Sequence, residues 1–204
     1  MERIIRLVLG PFLTNTYIIF NEKEAVVIDP VFEPERILTV VAGKELKAII
    51  NTHGHIDHIQ ADFILKERTK AKILIHQDDA PLLSQPSKNL SLLVGESIPN
   101  LQPDWLLTEG DEIPIGQFRL KVIHTPGHTD GSICLLEKDF VFTGDTLFID
   151  SIGRTDLPGG SEEKIFASLK KLSSLLTDEM VIYPGHGDVA KFKKVKRINP
   201  FLSP

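Results

Sequence analysis

The sequence predicts an α/β protein in which two β-sheets pack face to face with helices outside. Three observations predict it. The 204-residue chain falls into two halves, each a set of strands followed by a helix. The strand candidates, such as Ala25-Val26-Val27-Ile28 and Leu46-Lys47-Ala48-Ile49-Ile50, are short apolar runs of the kind that lie buried in a sheet. The residues able to carry chemistry fall in the turns that follow strands, where an α/β protein places its ligands.

Taken in order, residues 3–9 and 16–20 are two strands joined by Gly10-Pro11-Phe12-Leu13-Thr14-Asn15. A third strand, 25–28, ends at Asp29-Pro30, and a helix runs from Pro34 to Val41 until Gly43 stops it. The strand at 46–50 leads into Asn51-Thr52-His53-Gly54-His55-Ile56-Asp57-His58, and a helix follows over 59–68, where Ile59, Phe63 and Ile64 have helical spacing. Lys72 to His76 is a strand and Asp78 to Leu83 a short helix. Residues 84–104, broken by Pro86, Pro99 and Pro103, are the least regular part: either a functional lid or a packed surface excursion. Strands at 105–108, 118–123, 132–136 and 140–143 are separated by Gly, Pro and Asp turns. Ser161 caps a helix that reaches Leu175, with Glu162 and Glu163 suiting its first turn. Met180 to Tyr183 is the last strand.

Composition narrows the class. Apolar content of 42% and charged content of 25% are those of an ordinary globular protein, with 1–204 as one domain. A net charge of −5 weighs against nucleic-acid partners. No apolar run reaches the length of a membrane span, and the first nine residues lack a signal-peptide layout, so the expected location is the cytoplasm. The single cysteine, Cys134, sits in an apolar strand and reads as a small buried hydrophobe.

Three of the seven histidines fall within residues 53–58. In an extended segment His53 and His55 point to the same side and can converge on one metal ion, while Asp57 and His58 point away towards a second. Gly54 lets the backbone bend between the first two. Three later turns each place glycine before one ligand-type residue: Thr125-Pro126-Gly127-His128, Thr143-Gly144-Asp145-Thr146 and Pro184-Gly185-His186-Gly187. Two neighbouring metals need about seven ligand positions, one of them a bridging carboxylate. The count assigns His53, His55 and His128 to one ion, Asp57, His58 and His186 to the other, and Asp145 to both. Imidazole and carboxylate suit two zinc ions, with iron or manganese as alternatives.

These motifs, spread from Asp29 to His186, resemble the metallo-β-lactamase superfamily. Gly10-Pro11-Phe12, Asn15-Thr16-Tyr17, Phe142 to Phe148 and Gly153-Arg154-Thr155-Asp156 are similar to those of its glyoxalase II-like (hydroxyacylglutathione hydrolase-like) members. The resemblance implies an αββα four-layer sandwich of two mixed β-sheets, the ligand set just given, and thioester hydrolysis by a metal-bridging hydroxide, with Asp57 and Asp145 as catalytic carboxylates. It implies a small anionic thioester substrate. The chain lacks the helical C-terminal domain of full-length glyoxalase II, and its tail is similar to the short relatives. The Gly153–Asp156 segment also resembles persulfide dioxygenases, which use one iron, so that activity is the alternative. A non-catalytic metal scaffold and nucleic-acid processing are further alternatives. Arg154 is the candidate to grip an anionic substrate group, against a structural salt bridge. His76 and His124 read as structural histidines, Asp29 as either a residue supporting the ligands or a simple turn-former, and the cations at 191–197 as a solvated face.

Overall fold

The computed structural model describes residues 3–202. Among them, twelve strands form two six-stranded sheets. The first is β1 (Arg3–Leu9), β2 (Thr14–Phe20), β3 (Glu24–Ile28), β4 (Glu45–Ile50), β5 (Lys72–His76) and β6 (Trp105–Leu107), in that spatial order. The second holds β7 (Glu112–Ile115), β8 (Phe118–His124), β9 (Ile133–Leu136), β10 (Phe140–Gly144), β11 (Val181–Pro184) and β12 (Ala190–Lys191), again each beside the next. Both sheets are mixed: β3 to β6 run parallel and so do β10 and β11, whereas the remaining neighbours are antiparallel.

The helices are α1 (Pro34–Val40), α2 (Ile56–Ile59), α3 (Asp62–Thr69), α4 (Ser91–Val94), α5 (Glu162–Leu175) and α6 (Phe192–Ile198), with a 3-10 turn at Ala80–Ser84. Side-chain alternation sorts the strands into layers. Ile19, Val26, Ile28 and Ile50 meet Leu120, Val122, Leu135 and Phe142 between the sheets. Ile18, Val27 and Ile49 face outwards onto Ile37 of α1 and Leu65 of α3. On the far side Ile123, Val141 and Ile182 meet Leu172 of α5 and Phe192 and Val195 of α6. The result is helix, sheet, sheet, helix. Central strands covered on both faces read as unbroken apolar runs.

The structure differs from the sequence reading in several places. Strand β7 was hidden by Pro114; it is the edge strand of its sheet, where a residue without an N–H is tolerated, and Ile113 and Ile115 alternate inwards. The 59–68 helix begins instead as α2 and is broken at Gln60 and Ala61 before α3. Asp78 and Asp79 precede the 3-10 turn rather than starting a helix. The cationic tail is not only a solvated face: α6 buries Phe192 and Val195, three residues apart, beneath those charges. Cys134 is buried, which pushes its thiol up to about 11. No helix among the described residues is long and apolar enough to cross a membrane.

Candidate metal centre

Four turns at the strand ends build the site. Asp29 ends β3 with a left-handed φ of 50°. Its carboxylate accepts from both the backbone N–H and the hydroxyl of Thr52, each at 2.7 Å. That fixes the chain leaving β4, and the Thr52 hydroxyl then lies 3.2 Å from His53 Nδ1. Gly54 is needed for space rather than for a bend: a Cβ there would come 2.5 Å from Leu82 Cβ, and its φ is not positive. The Gly54 N–H donates to Asp79 at 2.9 Å. Asp79 also accepts from Thr129 Oγ1 and from the Gly131 N–H, each at 2.7 Å. One buried carboxylate therefore ties the 53–58 turn to the turn holding His128. Sequence reasoning missed it; its position three residues after a buried strand was the available signal.

The seven candidate ligands meet. His53, His55 and His128 form one group, Asp57, His58 and His186 a second, and His53, His58 and Asp145 a third that overlaps both, with ligand atoms in each group within 4.8 Å of one another. His55 Nδ1 faces His128 Nε2 at 2.9 Å, and His58 Nε2 faces His186 Nε2 at 3.3 Å. Asp145 lies between the sets. Its Oδ1 is 3.4 Å from His58 Nε2, and its Oδ2 is 3.7 Å from His128 Nε2 and 3.5 Å from His186 Nε2. The outer nitrogens are held: His128 Nδ1 donates to the Arg154 carbonyl at 2.8 Å, His186 Nδ1 to the Phe12 carbonyl at 3.1 Å, and His58 Nδ1 lies 3.0 Å from Asp29 Oδ2. Each contact fixes the tautomer that leaves the inner nitrogen free to coordinate.

The donor set fits metal ions. His53 Nε2 and Asp145 Oδ1 are buried without a hydrogen-bond partner, a costly state that a cation at the centre relieves. The charge balance agrees. Burial, then His58 and His128, drives His53 well below its ordinary value, and burial takes His55 down to about 3, so both offer lone pairs. Burial opposes charge on Asp145 too, yet His58 and His186 hold it below the usual carboxylate range. Burial would likewise lower His58 and His186, but Asp145 with Asp29 and Asp57 raises His58 to about 9, and Asp145 with Asp57 raises His186 to about 10. In the metal-free protein these two protons supply the positive charge that a divalent ion would replace.

The centre opens into a cavity of about 960 Å³. Arg154 lines it, but its guanidinium is held bidentately by Asp156 at 2.7 Å, leaving its charge satisfied. His76 and His124 lie outside the cavity, stacked with centroids 4.0 Å apart. Tyr183 packs against Phe142.

The sequence pattern of the metallo-beta-lactamase superfamily matches residues 9–186. The chain belongs to the metallo-β-lactamase superfamily. Members of this superfamily are mostly metal-dependent hydrolases. The hydroxyacylglutathione hydrolase GloC of Haemophilus influenzae is 35% identical over 201 residues, covering 94% of either chain. The crystal structure of BLEG-1, a B3 metallo-β-lactamase, is 34% identical, with a TM-score of 0.92 over 99% of this chain and 100% of that one. TTHA1623 in a di-iron-bound form is 36% identical, with a TM-score of 0.85 over 97% of this chain and 100% of that one. The superfamily fold and the sheet order observed here agree.

Proposed function

We propose that this superfamily member is a binuclear metal-dependent hydrolase that cleaves thioesters. One observation carries the reading: seven imidazole and carboxylate side chains from four turns form two three-residue groups joined by Asp145. His53, His55 and His128 would hold one ion, Asp57, His58 and His186 the other, and Asp145 both. Bound there, two divalent ions would supply Lewis acidity towards a carbonyl oxygen and acidify water at neutral pH. The protein does the rest. Asp57 lies 3.4 Å from His186 and lines the cavity, placing a carboxylate where it can orient water and accept a proton. Ile56 and Phe148 border the same cavity, placing apolar surface beside the candidate ligands. The similarity to GloC and the sequence motifs favour a thioester over a lactone or lactam. Zinc is the proposed metal, iron or manganese the alternatives, and a small molecule in the cytoplasm the proposed substrate.

The test is metal analysis of purified protein paired with turnover. The expected result is two ions per chain and oxygen-independent cleavage of S-lactoylglutathione or another thioester. Oxygen consumption with glutathione persulfide by a one-iron protein that leaves thioesters intact would establish the dioxygenase instead. β-Lactam turnover without thioester turnover would move the activity towards that of BLEG-1, and two tightly held ions without any turnover would leave a scaffold.

A further inference from the structure

We propose that the arm of the substrate lying beyond the metal centre is an apolar chain, so that this hydrolase favours thioesters of aliphatic acyl groups over the small hydroxyacyl group of lactoylglutathione. This rests on the thioester reading above and names its substrate class.

The cavity that begins at His55, Asp57 and Asp145 is lined further on by apolar side chains. Phe12 comes from the β1–β2 turn, Leu93 and Val94 from α4, Ile198 from α6, and Phe148 and Leu157 from the segment between β10 and α5. These side chains are not core residues that happen to border a space. Leu93 is 76% exposed, Phe12 48%, Ile198 41% and Val94 39%. Leaving that much apolar surface in water forgoes roughly 25 cal/mol for each Å² that an occupant would cover. At about 960 Å³ the cavity has the size of a small-molecule site rather than a protein-docking face.

The lining beyond the candidate ligands carries charge of both signs. Arg154 pairs with Asp156 at the surface. Of the α6 cations and their neighbour, Lys191 and Lys193 pair with Glu179 and Lys196 with Asp178. Lys194 is the cavity cation without an acidic partner among the described residues, and Asp150 and Asp188 on the same walls have no cationic partner there either. A carrier bearing several carboxylates or phosphates finds no cluster of cations. A hydrocarbon chain finds exposed apolar side chains in the cavity onto which the reacting centre opens.

Helix α4 supplies part of that lining. It is four residues long and lies between two left-handed residues, Leu90 (φ 70°) and Gly95 (φ 72°). A sharp reversal at either end turns Leu93 and Val94 towards the cavity instead of towards the core. The irregular 84–104 segment therefore contributes a substrate-facing wall.

The experiment uses the two-metal protein and S-acyl-N-acetylcysteamine thioesters from acetyl to octanoyl, with S-lactoylglutathione for comparison. The expected result is a kcat/KM that rises about threefold to fourfold with each added methylene, the factor for moving one CH₂ out of water, until the slot is filled. Leu93→Ser and, from α6, Ile198→Ser should each lower the octanoyl-to-acetyl ratio at least tenfold; because both residues are exposed, the variants should keep the wild-type fold and two ions. Thioester cleavage with a flat chain-length profile, or with lactoylglutathione preferred to octanoyl, overturns this inference and leaves the hydrolase standing. No thioester cleavage at all overturns the thioester reading, and this inference with it.

Discussion

His58 Nδ1 lies 3.0 Å from Asp29 Oδ2, at the foot of the metal centre, with both side chains buried. The same carboxylate receives two hydrogen bonds from Thr52. Asp29 thus aims one candidate ligand directly and steadies the turn carrying three others. Asp29→Asn keeps an acceptor and tolerates the left-handed φ, but removes the charge facing His58. The variant should fold and should bind its second ion about 10–100-fold more weakly, the usual loss when an outer partner of a ligating histidine is removed. Chelator competition measures it; unchanged affinity at both sites would rule out the orienting role.

Asp145 should behave differently, because its two oxygens lie near His58, His128 and His186 at once. Asp145→Ala is expected to lose both ions and all turnover. Elemental analysis decides it: two ions retained at wild-type affinity would refute the bridging assignment.

The turn at Gly185 makes a sharper geometric prediction. A Cβ there would stand 2.2 Å from Asp145 Oδ1 and 2.8 Å from His58 Cε1, while the backbone needs no left-handed conformation. Gly185→Ala should therefore displace the carboxylate and the imidazole without straining its own φ and ψ. We expect fewer than two ions per chain from a protein with normal circular dichroism. Full occupancy would mean that Asp145 and His58 do not need the positions described.

Asp62 should reveal itself through pH. It is buried at the start of α3, where Asn51 Nδ2 donates to its Oδ1 at 3.3 Å and its Oδ2 has no partner. Burial raises its pKa well above the ordinary 3.8. A folded-state pKa above the unfolded one means that folding favours the protonated form. Stability is then undiminished below the ordinary value and falls as pH climbs above it. Asp62→Asn removes this penalty. Thermal melts should show the variant gaining on the wild type between pH 4 and pH 8; a constant difference would mean that Asp62 titrates normally.

The sheets were legible because the central strands are covered on both faces: Ala25–Ile28 is apolar throughout, and Lys47 is the one polar residue of Leu46–Ile50. The seven candidate ligands were legible because histidine is scarce and its spacing in 53–58 matches an extended backbone. What the sequence hid depends on contacts distant along the chain. Asp79 looks like any acid in a turn until Gly54, Thr129 and Gly131 converge on it. Gly54 suggested a bend, but its real constraint is Leu82, which no local pattern shows. Pro114 concealed β7 because an edge position is a property of the assembled sheet.

The candidate centre is divided between the two sheets: His53, His55, Asp57 and His58 follow β4, while His128, Asp145 and His186 follow strands of the other sheet. The trio His53, His55 and His128 cannot be complete until the chain has been made past residue 128, nor the trio Asp57, His58 and His186 until it has passed 186. Under the ligand assignment proposed here, metal loading waits until His186 has been made. A filled centre certifies that the chain has passed that residue and that both halves have docked.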